Sequence, residues 1–342
     1  MENSMSRILA GSVVKRTLKD MKENPERSIR NLVDMALQFS DGRFQQNFFT
    51  TAQTMLQNEN SAYYRLVRDV VSYVDTDRLY TFGMNLGYNG CTAGAQRIRE
   101  NEKKLGCNIP WTVSVQMDAE QFEENGQQYQ AMVQAGEKLG IYAWMLFCME
   151  QPQKSLPIVK DHADSAFFLF CEPEDLTSDF LDDAAELYNL MLLVRYDENA
   201  ADMCARLRER GLLYSVWYQY GQKDTETIIN GDLFYSAQQL SPVFTVLLPE
   251  LECPDVVQHL AHQAVQQARN EQSYHTMLWE LQGDNSLIDA IISDDTCSVY
   301  FDRDGNLCDW SKRINSVHHN LFQSSLADIF ASACPKKVCK TV

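Results

Sequence analysis

Two patterns of apolar positions divide the chain near residue 76. Before that point apolar residues recur at helical spacing, as in the stripe Ile29, Leu32, Val33 and Ala36. After it, short continuous apolar runs such as 167–170 (FFLF) alternate with helical segments. Continuous apolar runs are typical of strands that are buried on both faces, as in a parallel sheet covered by helices. The pattern therefore predicts an α/β fold that follows an all-helical N-terminal region.

The alternation of strands and helices is regular over the middle of the chain. The predicted strands are Leu79–Leu86, Trp111–Met117, Ile141–Cys148, Ser165–Cys171, Leu190–Tyr196, Leu213–Tyr218 and Val243–Leu248. The predicted helices between them include Gln121–Leu139, Ser178–Leu187 and Ala200–Arg210. The first unit is read as a strand, a glycine-rich turn over 83–90 and a helix that ends at Leu105 before Gly106.

Repeated βα units favour a barrel over an open doubly wound sheet. Neither the dinucleotide fingerprint after the first predicted strand nor a P-loop is present, which weakens a nucleotide-binding interpretation. We predict a partial (β/α)6-type TIM-like barrel over residues 77–275. It is preceded by an N-terminal helical subdomain over 1–76 and followed by a small α+β extension over 276–342.

Function in such a barrel is expected at the carboxyl ends of the strands. The catalytic candidates there are Glu150, Glu172, Arg195 and Asp197, and the ligand-binding candidates are Asn85, Tyr88, Asn89, Arg195 and Tyr220. Carboxylates in a pocket suit general acid and base work or a cationic or polyhydroxyl ligand. Arg195 directly follows a buried run, so it can pair with Glu172 or Asp197 or hold a substrate carboxylate.

Composition and charge exclude some classes of binding partner. The chain has 342 residues, a formal net charge of −17 at pH 7 and a pI near 4.8, which argues against a nucleic-acid partner. No apolar run approaches the roughly 18 residues of a membrane helix, and the charged N-terminal segment does not resemble a secretory signal. We expect no membrane partner and a cytoplasmic location.

Four of the ten cysteines fall near the C-terminus. Cys297 and Cys308 flank a predicted hairpin with its turn at 304–306, a helix is predicted over 325–332, and Cys334 and Cys339 follow. These four are the candidate metal ligands, for zinc or an iron–sulfur cluster, and the alternative is that they are buried or free thiols. His259 and His262 share a helix spacing, but surface histidines are the preferred interpretation there.

The tail carries a resemblance to a known family. Residues 304–308 (DGNLC), followed by the helix 325–330 (SLADIF) and further cysteines after a partial barrel, are similar to radical S-adenosylmethionine (radical SAM) enzymes with a SPASM or Twitch extension. The resemblance implies a cluster held by CxxxCxxC in the loop after the first strand. Here the corresponding segment, 87–95, contains one cysteine, Cys91. Three thiolates are needed to leave the fourth iron open for the cofactor.

The chain thus resembles a degenerate member of that family, and the S-adenosylmethionine-binding cluster is not expected. At most one auxiliary [4Fe-4S] cluster or zinc ion is compatible with the tail cysteines. The leading hypothesis is a barrel that binds a small molecule, a peptide or a partner protein at the strand ends. The alternatives are a carboxylate-based lyase, isomerase or hydrolase in the same pocket, and a metal or redox protein that acts through the tail cysteines. A nucleophilic Cys91 is a weaker option.

Overall fold

A ten-stranded, mostly parallel sheet forms the centre of the fold, as expected for a partial barrel. The structure is a computed structural model that describes residues 2–38, 40, 42–309, 312–313 and 319–336. The strands are β1 (Thr112–Gln116), β2 (Ala143–Phe147), β3 (Ala166–Cys171), β4 (Leu190–Arg195), β5 (Tyr214–Tyr220), β6 (Phe244–Pro249), β7 (Met277–Glu280), β8 (Val299–Phe301), β9 (Leu307–Asp309) and β10 (Lys312–Arg313). Their order across the sheet is β10-β9-β8-β1-β2-β3-β4-β5-β6-β7.

Strands β1 to β7 follow one another in the sheet and in the chain, and each pair of neighbours is parallel. This is the arrangement that repeated right-handed βα units produce. Strand β8 returns from the far edge and pairs in parallel with β1. The antiparallel strands β9 and β10 extend the sheet from β8, so the predicted C-terminal extension continues the same sheet.

Helices precede the sheet and cover it. They are α1 (Glu2–Met21), α2 (Pro25–Gln38), α3 (Arg43–Met55), α4 (Tyr63–Tyr73), α5 (Thr76–Gly83), the π-helix (Met84–Gly94), α6 (Ala95–Leu105), α7 (Ala119–Leu139), α8 (Leu156–Asp161), α9 (Ser178–Ala185), α10 (Ala200–Glu209), α11 (Thr225–Ile229), α12 (Asp232–Ala237), α13 (Asp255–Glu271), α14 (Leu281–Ser293) and α15 (Leu326–Ala333). Pro25 opens α2 and the side chain of Asn24 accepts from the Arg27 amide, as its sequence indicates.

The two faces of the sheet have separate cores. Alternate residues of β3, such as Phe167 and Leu169, pack outward against helices α7 to α10. The other set, such as Phe168 and Phe170, points inward and forms a second core with residues of β2, β4, β5 and β6. Burial on both faces explains why these strands are continuous apolar runs in the sequence.

The predicted first strand, Leu79–Leu86, is wrong. Residues 76–105 instead form a helix without a break: α5, the π-helix and α6 follow one another directly. Asp75 caps its start by accepting from the amides of Asp77 and Arg78. Phe82 and Leu86 pack against the inner core of the sheet. Spacing of apolar residues that suited a strand thus also suited one face of a helix.

The N-terminal helices cover the amino ends of the strands. Tyr73 donates from its hydroxyl to the carbonyl of Ser241, just before β6, at 3.4 Å. The Asp75 amide donates to the carbonyl of Gly211, just before β5, at 3.2 Å. Val74 is buried within the inner core. The open lower end of the partial barrel is therefore closed by this helical region.

The predicted C-terminal hairpin is confirmed. Strands β8 and β9 are antiparallel, with Tyr300 opposite Cys308, and Gly305 takes a left-handed conformation with φ of 76° in the turn. Helix α15 begins one residue after its N-cap, Ser325. No helix in the described ranges has both the length and the apolar character that crossing a bilayer requires.

Candidate functional site

Arg195 and Glu172 lie at the carboxyl ends of neighbouring strands and form an ion pair. Arg195 is the last residue of β4, and Glu172 directly follows β3. Their Nη1 and Oε1 atoms are 3.0 Å apart, and the Arg195 side chain is 44% exposed. The guanidinium also lies 5.5 Å from the ring centroid of Trp217 on β5. The sequence-based expectation that Arg195 pairs with an acidic neighbour is met by Glu172.

Two further carboxylates stand beside this pair. One oxygen each of Glu172, Glu174 and Asp197 lies within 4.8 Å of the others, and this is the one such group of three potential metal ligands among the described residues. Burial raises the pKa of Glu172, Arg195 lowers it, and Glu174 and Asp197 raise it further by charge repulsion. Asp197 also accepts from the amides of Asn199 and Ala200, so it holds the turn into α10.

Aromatic side chains fill the inner face of the sheet beneath this group. The rings of Phe147 and Phe170 stack with centroids 4.2 Å apart. Trp217 and Tyr300 lie beside them with edge-to-face geometry, at 6.1 Å from Phe170 and 6.3 Å from Phe147 respectively. The strand-end residues therefore lie above a layer of packed aromatic side chains. We call Glu150, Glu172, Glu174, Arg195 and Asp197 the strand-end rim.

Glu150 stands apart from the other rim carboxylates. It is exposed and lines a hollow of about 10 Å³ with Met117, Asp118 and Cys148, which has room for about one water molecule. Asp118 caps α7 with its side chain. A wider, open groove of about 570 Å³ runs along α7 next to Pro157, away from Arg195.

The structure places Asn85 and Asn89 at the opposite end of the sheet from Arg195. Both lie on the π-helix and are buried. Asn85 donates to the carbonyls of Ala163 and Ser165, and Asn89 donates to the carbonyl of Asp164, in the loop before β3. The two amides therefore fasten the helix to the amino ends of the strands. These candidates and the rim are not brought together.

Tyr88 and Tyr220 are the other two ligand-binding candidates. Tyr88 is half-buried on the π-helix, where burial raises its pKa and Arg7 of α1 lowers it. Tyr220 is the last residue of β5 and is completely buried in the cluster beneath α11 to α13. Its hydroxyl donates to Glu280 Oε1 at 3.1 Å. Ligand binding by either tyrosine stays a prediction.

Sequence reasoning missed a buried polar network around Glu280. This carboxylate ends β7, is 2% exposed and accepts from the Gly283 amide at 2.6 Å, which caps α14. Burial raises its pKa to about 7. Asp284 next to it binds Arg269 through both oxygens and contacts His262, and these bonds lower its pKa against the effect of burial. The one sequence feature that could have indicated this network is the position of Glu280 as the N-cap of α14.

Residues 117–139, which follow the first strand β1, contain no cysteine, and segment 87–95, which sequence reasoning placed in that loop, does not fit a radical-SAM cluster. Segment 87–95 lies within the unbroken helix 76–105, and its one cysteine, Cys91, has a thiol whose pKa is raised to about 12 by burial. A cluster with an open iron needs three thiolates in one loop. The same burial disfavours the thiolate form that a nucleophilic Cys91 would need.

The tail cysteines are only partly assembled. Cys297 and Cys334 pack in the same core cluster, and Cys107 lies near Cys334 because it forms a β-bridge with Pro335. Cys308 lies opposite Tyr300 on β9 and directs its thiol to the carbonyl of Asn306. Cys339 lies outside the described residues. Cys107 was missed because its distance along the sequence hides its place beside Cys334.

Solved structures with a similar backbone place this architecture among known folds. The structure of SuiB from Streptococcus suis bound to the precursor peptide SuiA matches with a TM-score of 0.51 and 8% sequence identity, over 70% of this chain and 69% of that one. The fold is shared with SuiB. SuiB is a radical SAM enzyme, and its complex with S-adenosylmethionine matches with a TM-score of 0.50 at 8% identity, over 70% and 68% of the chains.

A structure of SuiB alone matches over more of this chain. The TM-score is 0.50 with 9% identity, over 93% of this chain and 81% of SuiB. At this identity the similarity to SuiB concerns the fold. The sequence matches no protein-family model and no curated protein.

Proposed function

We propose that this chain is a radical-SAM-like barrel that does not initiate radical chemistry and that binds a peptide or a segment of a partner protein at the strand-end rim. The observation that carries the proposal is the connection that follows the first strand of the sheet. β1 ends at Gln116 and α7 runs from Ala119 to Leu139, and residues 117–139 contain no cysteine where the resemblance implies a loop with three. The barrel architecture is retained while the ligands for the radical-initiating cluster are missing.

The shape and charge of the rim favour a peptide over a small molecule. Stacked rings such as Phe147 and Phe170 fill the inner face below it, so the surface on offer is shallow. Four carboxylates and one arginine, itself paired with Glu172, make the rim acidic. Opposite charge guides association, so the proposed occupant is a segment rich in Lys or Arg. SuiB, which shares the fold, has been solved with a precursor peptide bound.

The chemical half of the proposal is tested by anaerobic reconstitution with iron and sulfide. The protein is then incubated with S-adenosylmethionine and a reductant, and 5′-deoxyadenosine is quantified. We expect no product above the level of a Cys91→Ala variant treated in the same way. Formation of 5′-deoxyadenosine that disappears in Cys91→Ala would refute the loss of radical initiation.

The binding half is tested by fluorescence anisotropy with a labelled lysine-rich peptide and its glutamate-substituted counterpart. We expect the basic peptide to bind more tightly, and Glu174→Lys, which reverses an exposed rim charge, to weaken it about tenfold or more. Glu209→Lys is the matched control, because Glu209 is exposed at the end of α10, which leads to the amino end of β5 and so to the opposite edge of the sheet. Equal weakening by both variants would mean general charge attraction and would defeat the proposal.

A second candidate function is supported by the proximity of Glu172, Glu174 and Asp197. Three oxygens within 4.8 Å can share a proton or hold a divalent cation, and the raised pKa of Glu172 suits a general acid. A carboxylate-based lyase, isomerase or hydrolase would use this group with Arg195 holding an anion. Titration with Mg²⁺ or Ca²⁺ followed by calorimetry separates the two: binding lost in Glu172→Gln favours the enzyme.

A metal centre at the tail cysteines remains a prediction. Two of its four expected ligands, Cys297 and Cys334, pack in one core cluster, whereas Cys308 lies on the hairpin and Cys339 lies outside the described residues. Iron, zinc and acid-labile sulfide analysis of protein purified without oxygen tests it. A stoichiometric metal that is lost in Cys308→Ala would support an auxiliary centre.

A further inference from the structure

One face of helix α1 is exposed along most of its length. Its first two turns present three large apolar side chains with exposed fractions of 64% to 69%: Met5, Ile8 and Leu9. The following turns present exposed cations on the same face of the helix: Lys15, Arg16 and Lys19. The opposite face, with Leu18 and Met21, is buried. The exposed face therefore changes from apolar to basic along the helix, and we call these six exposed residues the α1 stripe.

The α1 stripe is basic although the protein as a whole is acidic. Residues 1–22 contain five Lys or Arg and two Asp or Glu, so this segment has a formal charge of +3 in a chain whose total is −17. Lys15 forms an exposed ion pair with Asp77, whereas Arg16 and Lys19 have no ion-pair partner among the described residues. An exposed helix face that combines an apolar and a cationic half is typical of a surface that binds a partner.

The α1 stripe and the strand-end rim lie at opposite ends of the sheet. Arg7 of α1 pairs at 2.8 Å with Asp164, in the loop that leads into the amino end of β3. The rim residues Glu172 and Arg195 lie at the carboxyl ends of β3 and β4. A chain therefore does not place the α1 stripe on its own rim, and contact between the two surfaces requires a second copy.

The carboxyl edge of the sheet presents the complementary order of charge and apolar surface. The rim is acidic at the ends of β3 and β4, where Glu174 and Asp197 are exposed. Two strands further along, the turn after β6 exposes 85% of Leu251, and the first turn of α13 exposes 65% of Val256. Carboxylates lie on both sides of Leu251 in the sequence, at positions 250 and 252. This edge thus changes from acidic to apolar with distance from the rim.

The two surfaces are also similar in scale. Strands β4 and β6 are two strand spacings apart, which is about 10 Å, and Leu251 lies beyond the end of β6. On α1, the apolar half and the basic half are centred about ten residues apart, which is about 15 Å along a helix. An α1 helix laid across the strand ends therefore reaches the rim carboxylates and the exposed apolar residues at the same time.

We propose that the α1 stripe of one copy binds the carboxyl edge of a second copy, with its cations against the rim carboxylates and its apolar turns against Leu251 and Val256. The inference rests on the proposed function, because it identifies the basic occupant of the rim as α1 of this same protein. The two surfaces differ, so the contact is heterologous and each bound copy still has a free surface. Association therefore continues beyond a dimer.

Charge favours this pairing over two others. A symmetric contact between two α1 stripes would bring Arg16 and Lys19 of both copies together, and like charges repel. An anionic membrane would attract the α1 stripe but would repel the rest of a chain with a net charge of −17. The acidic rim of another copy attracts the stripe and provides apolar residues for its first two turns.

Sedimentation equilibrium of the full-length protein at low salt, over a range of concentrations, tests the proposal. We expect the weight-average mass to rise with concentration above the 39.2 kDa of one chain and to fall again in high salt. The α1 variant, Arg16→Glu with Lys19→Glu, and the rim variant, Glu174→Lys, should each weaken association about tenfold or more. Lys103→Glu with Lys104→Glu is the matched control, because it makes the same charge change at exposed positions of α6.

The apolar half of the stripe has its own variant. Ile8→Ser with Leu9→Ser should weaken association and make the remaining association more sensitive to salt. Leu105→Ser, at an exposed position on α6, is the control and should behave as the wild type. Thermal unfolding of each variant checks that the fold is kept.

Mixing the α1 variant with the rim variant is the sharpest test. The α1 variant keeps an intact rim, and the rim variant keeps an intact stripe. The mixture should therefore form a complex of one copy of each that stops at two chains, although each variant alone associates weakly. A mixture without this complex would overturn the proposal.

Other outcomes would also overturn it. One is a wild type that stays at the mass of one chain at every concentration, and another is association that is unchanged in the α1 and rim variants. A third is binding to phosphatidylserine vesicles that the α1 variant loses, without self-association, because that would assign the stripe to a membrane surface. If the labelled lysine-rich peptide still binds the rim in any of these cases, the proposed function stands and only the identity of its occupant is wrong.

Discussion

Glu280 is a carboxyl group that the fold keeps away from water. Its burial raises its pKa from an ordinary value of 4.5 to about 7. The folded protein therefore binds a proton that the unfolded chain releases between these values. The sign follows by linkage: this contribution to the free energy of unfolding is complete below pH 4.5 and is lost as the pH rises through 7.

We predict that Glu280→Gln flattens the pH dependence of stability. An amide keeps the local bonds, since its oxygen can accept from the Gly283 amide while its NH₂ donates to the phenolic oxygen of Tyr220. Between pH 5 and pH 8 the wild type should lose roughly 2 to 3 kcal/mol more than the variant, measured by urea unfolding.

Glu226→Gln, at an exposed position, is the control and should follow the wild type. Part of the slope will remain in Glu280→Gln, because burial also raises the pKa of Asp289 to about 7. Identical pH profiles for the wild type and Glu280→Gln would show that Glu280 is ionised in the fold and would contradict the prediction.

At the residue scale, the sequence predicts contacts between residues on strands that are consecutive along the chain and adjacent in the sheet. Arg195 and Glu172 end consecutive strands, so their pairing followed once the parallel order was predicted. Cys107 and Cys334 come together only through the bridge between Cys107 and Pro335. A contact of that kind depends on the whole fold, and no local sequence pattern predicts it.

At the scale of elements, six of the seven predicted strands are confirmed because both of their faces are buried. The wrong strand, Leu79–Leu86, shows the limit of that signal: a short apolar stretch with aromatic residues fits a strand and a helix face equally. The residue that indicates a helix here is polar and precedes the stretch: Asp75 is the N-cap of α5. Asn85 and Asn89, four residues apart, then share one helix face and reach the same loop.

The π-helix offers a test of how closely this element packs. A Cβ atom at Gly94 would stand 2.5 Å from the carbonyl oxygens of Asn89 and Gly140, which are backbone atoms that cannot turn away. We predict that Gly94→Ala lowers the free energy of unfolding by about 1 to 3 kcal/mol, measured by chemical denaturation.

Gly87→Ala in the same π-helix is the matched control. A Cβ at Gly87 would meet nothing within 4 Å. Alanine there should be neutral or stabilise the protein by up to about 1 kcal/mol, because it restricts the unfolded chain. Equal effects of the two substitutions would mean that the close approach at Gly94 is relieved by a small shift of the helix, and the packing argument would fail.

At the scale of the whole molecule, the N-terminal helices act as the closure of the barrel. Contacts reach the loops before β3 and β7 and the last turn of α14: Arg7 pairs with Asp164 at 2.8 Å, the Ala62 amide donates to the carbonyl of Gln272, and Arg43 donates to the carbonyl of Ile291. A helical region was predicted over 1–76, but its position over the amino ends was not. That position depends on the tertiary fit of side chains such as Val74 against the inner core.

The boundary predicted at residue 76 can be tested by truncation. Removing residues 1–74 exposes the inner core where Val74 and Tyr73 pack, and each buried apolar side chain contributes about 1.5 to 3 kcal/mol. We predict that the shortened chain binds a hydrophobic dye and loses cooperative thermal unfolding. Removing residues 1–22 is the control: it deletes α1, which pairs with α2 and α5, and leaves α4 over the core, so a cooperative transition at a lower temperature should remain. If the chain from residue 75 unfolded cooperatively near the wild-type temperature, the helices would be a separable domain and the barrel would close without them.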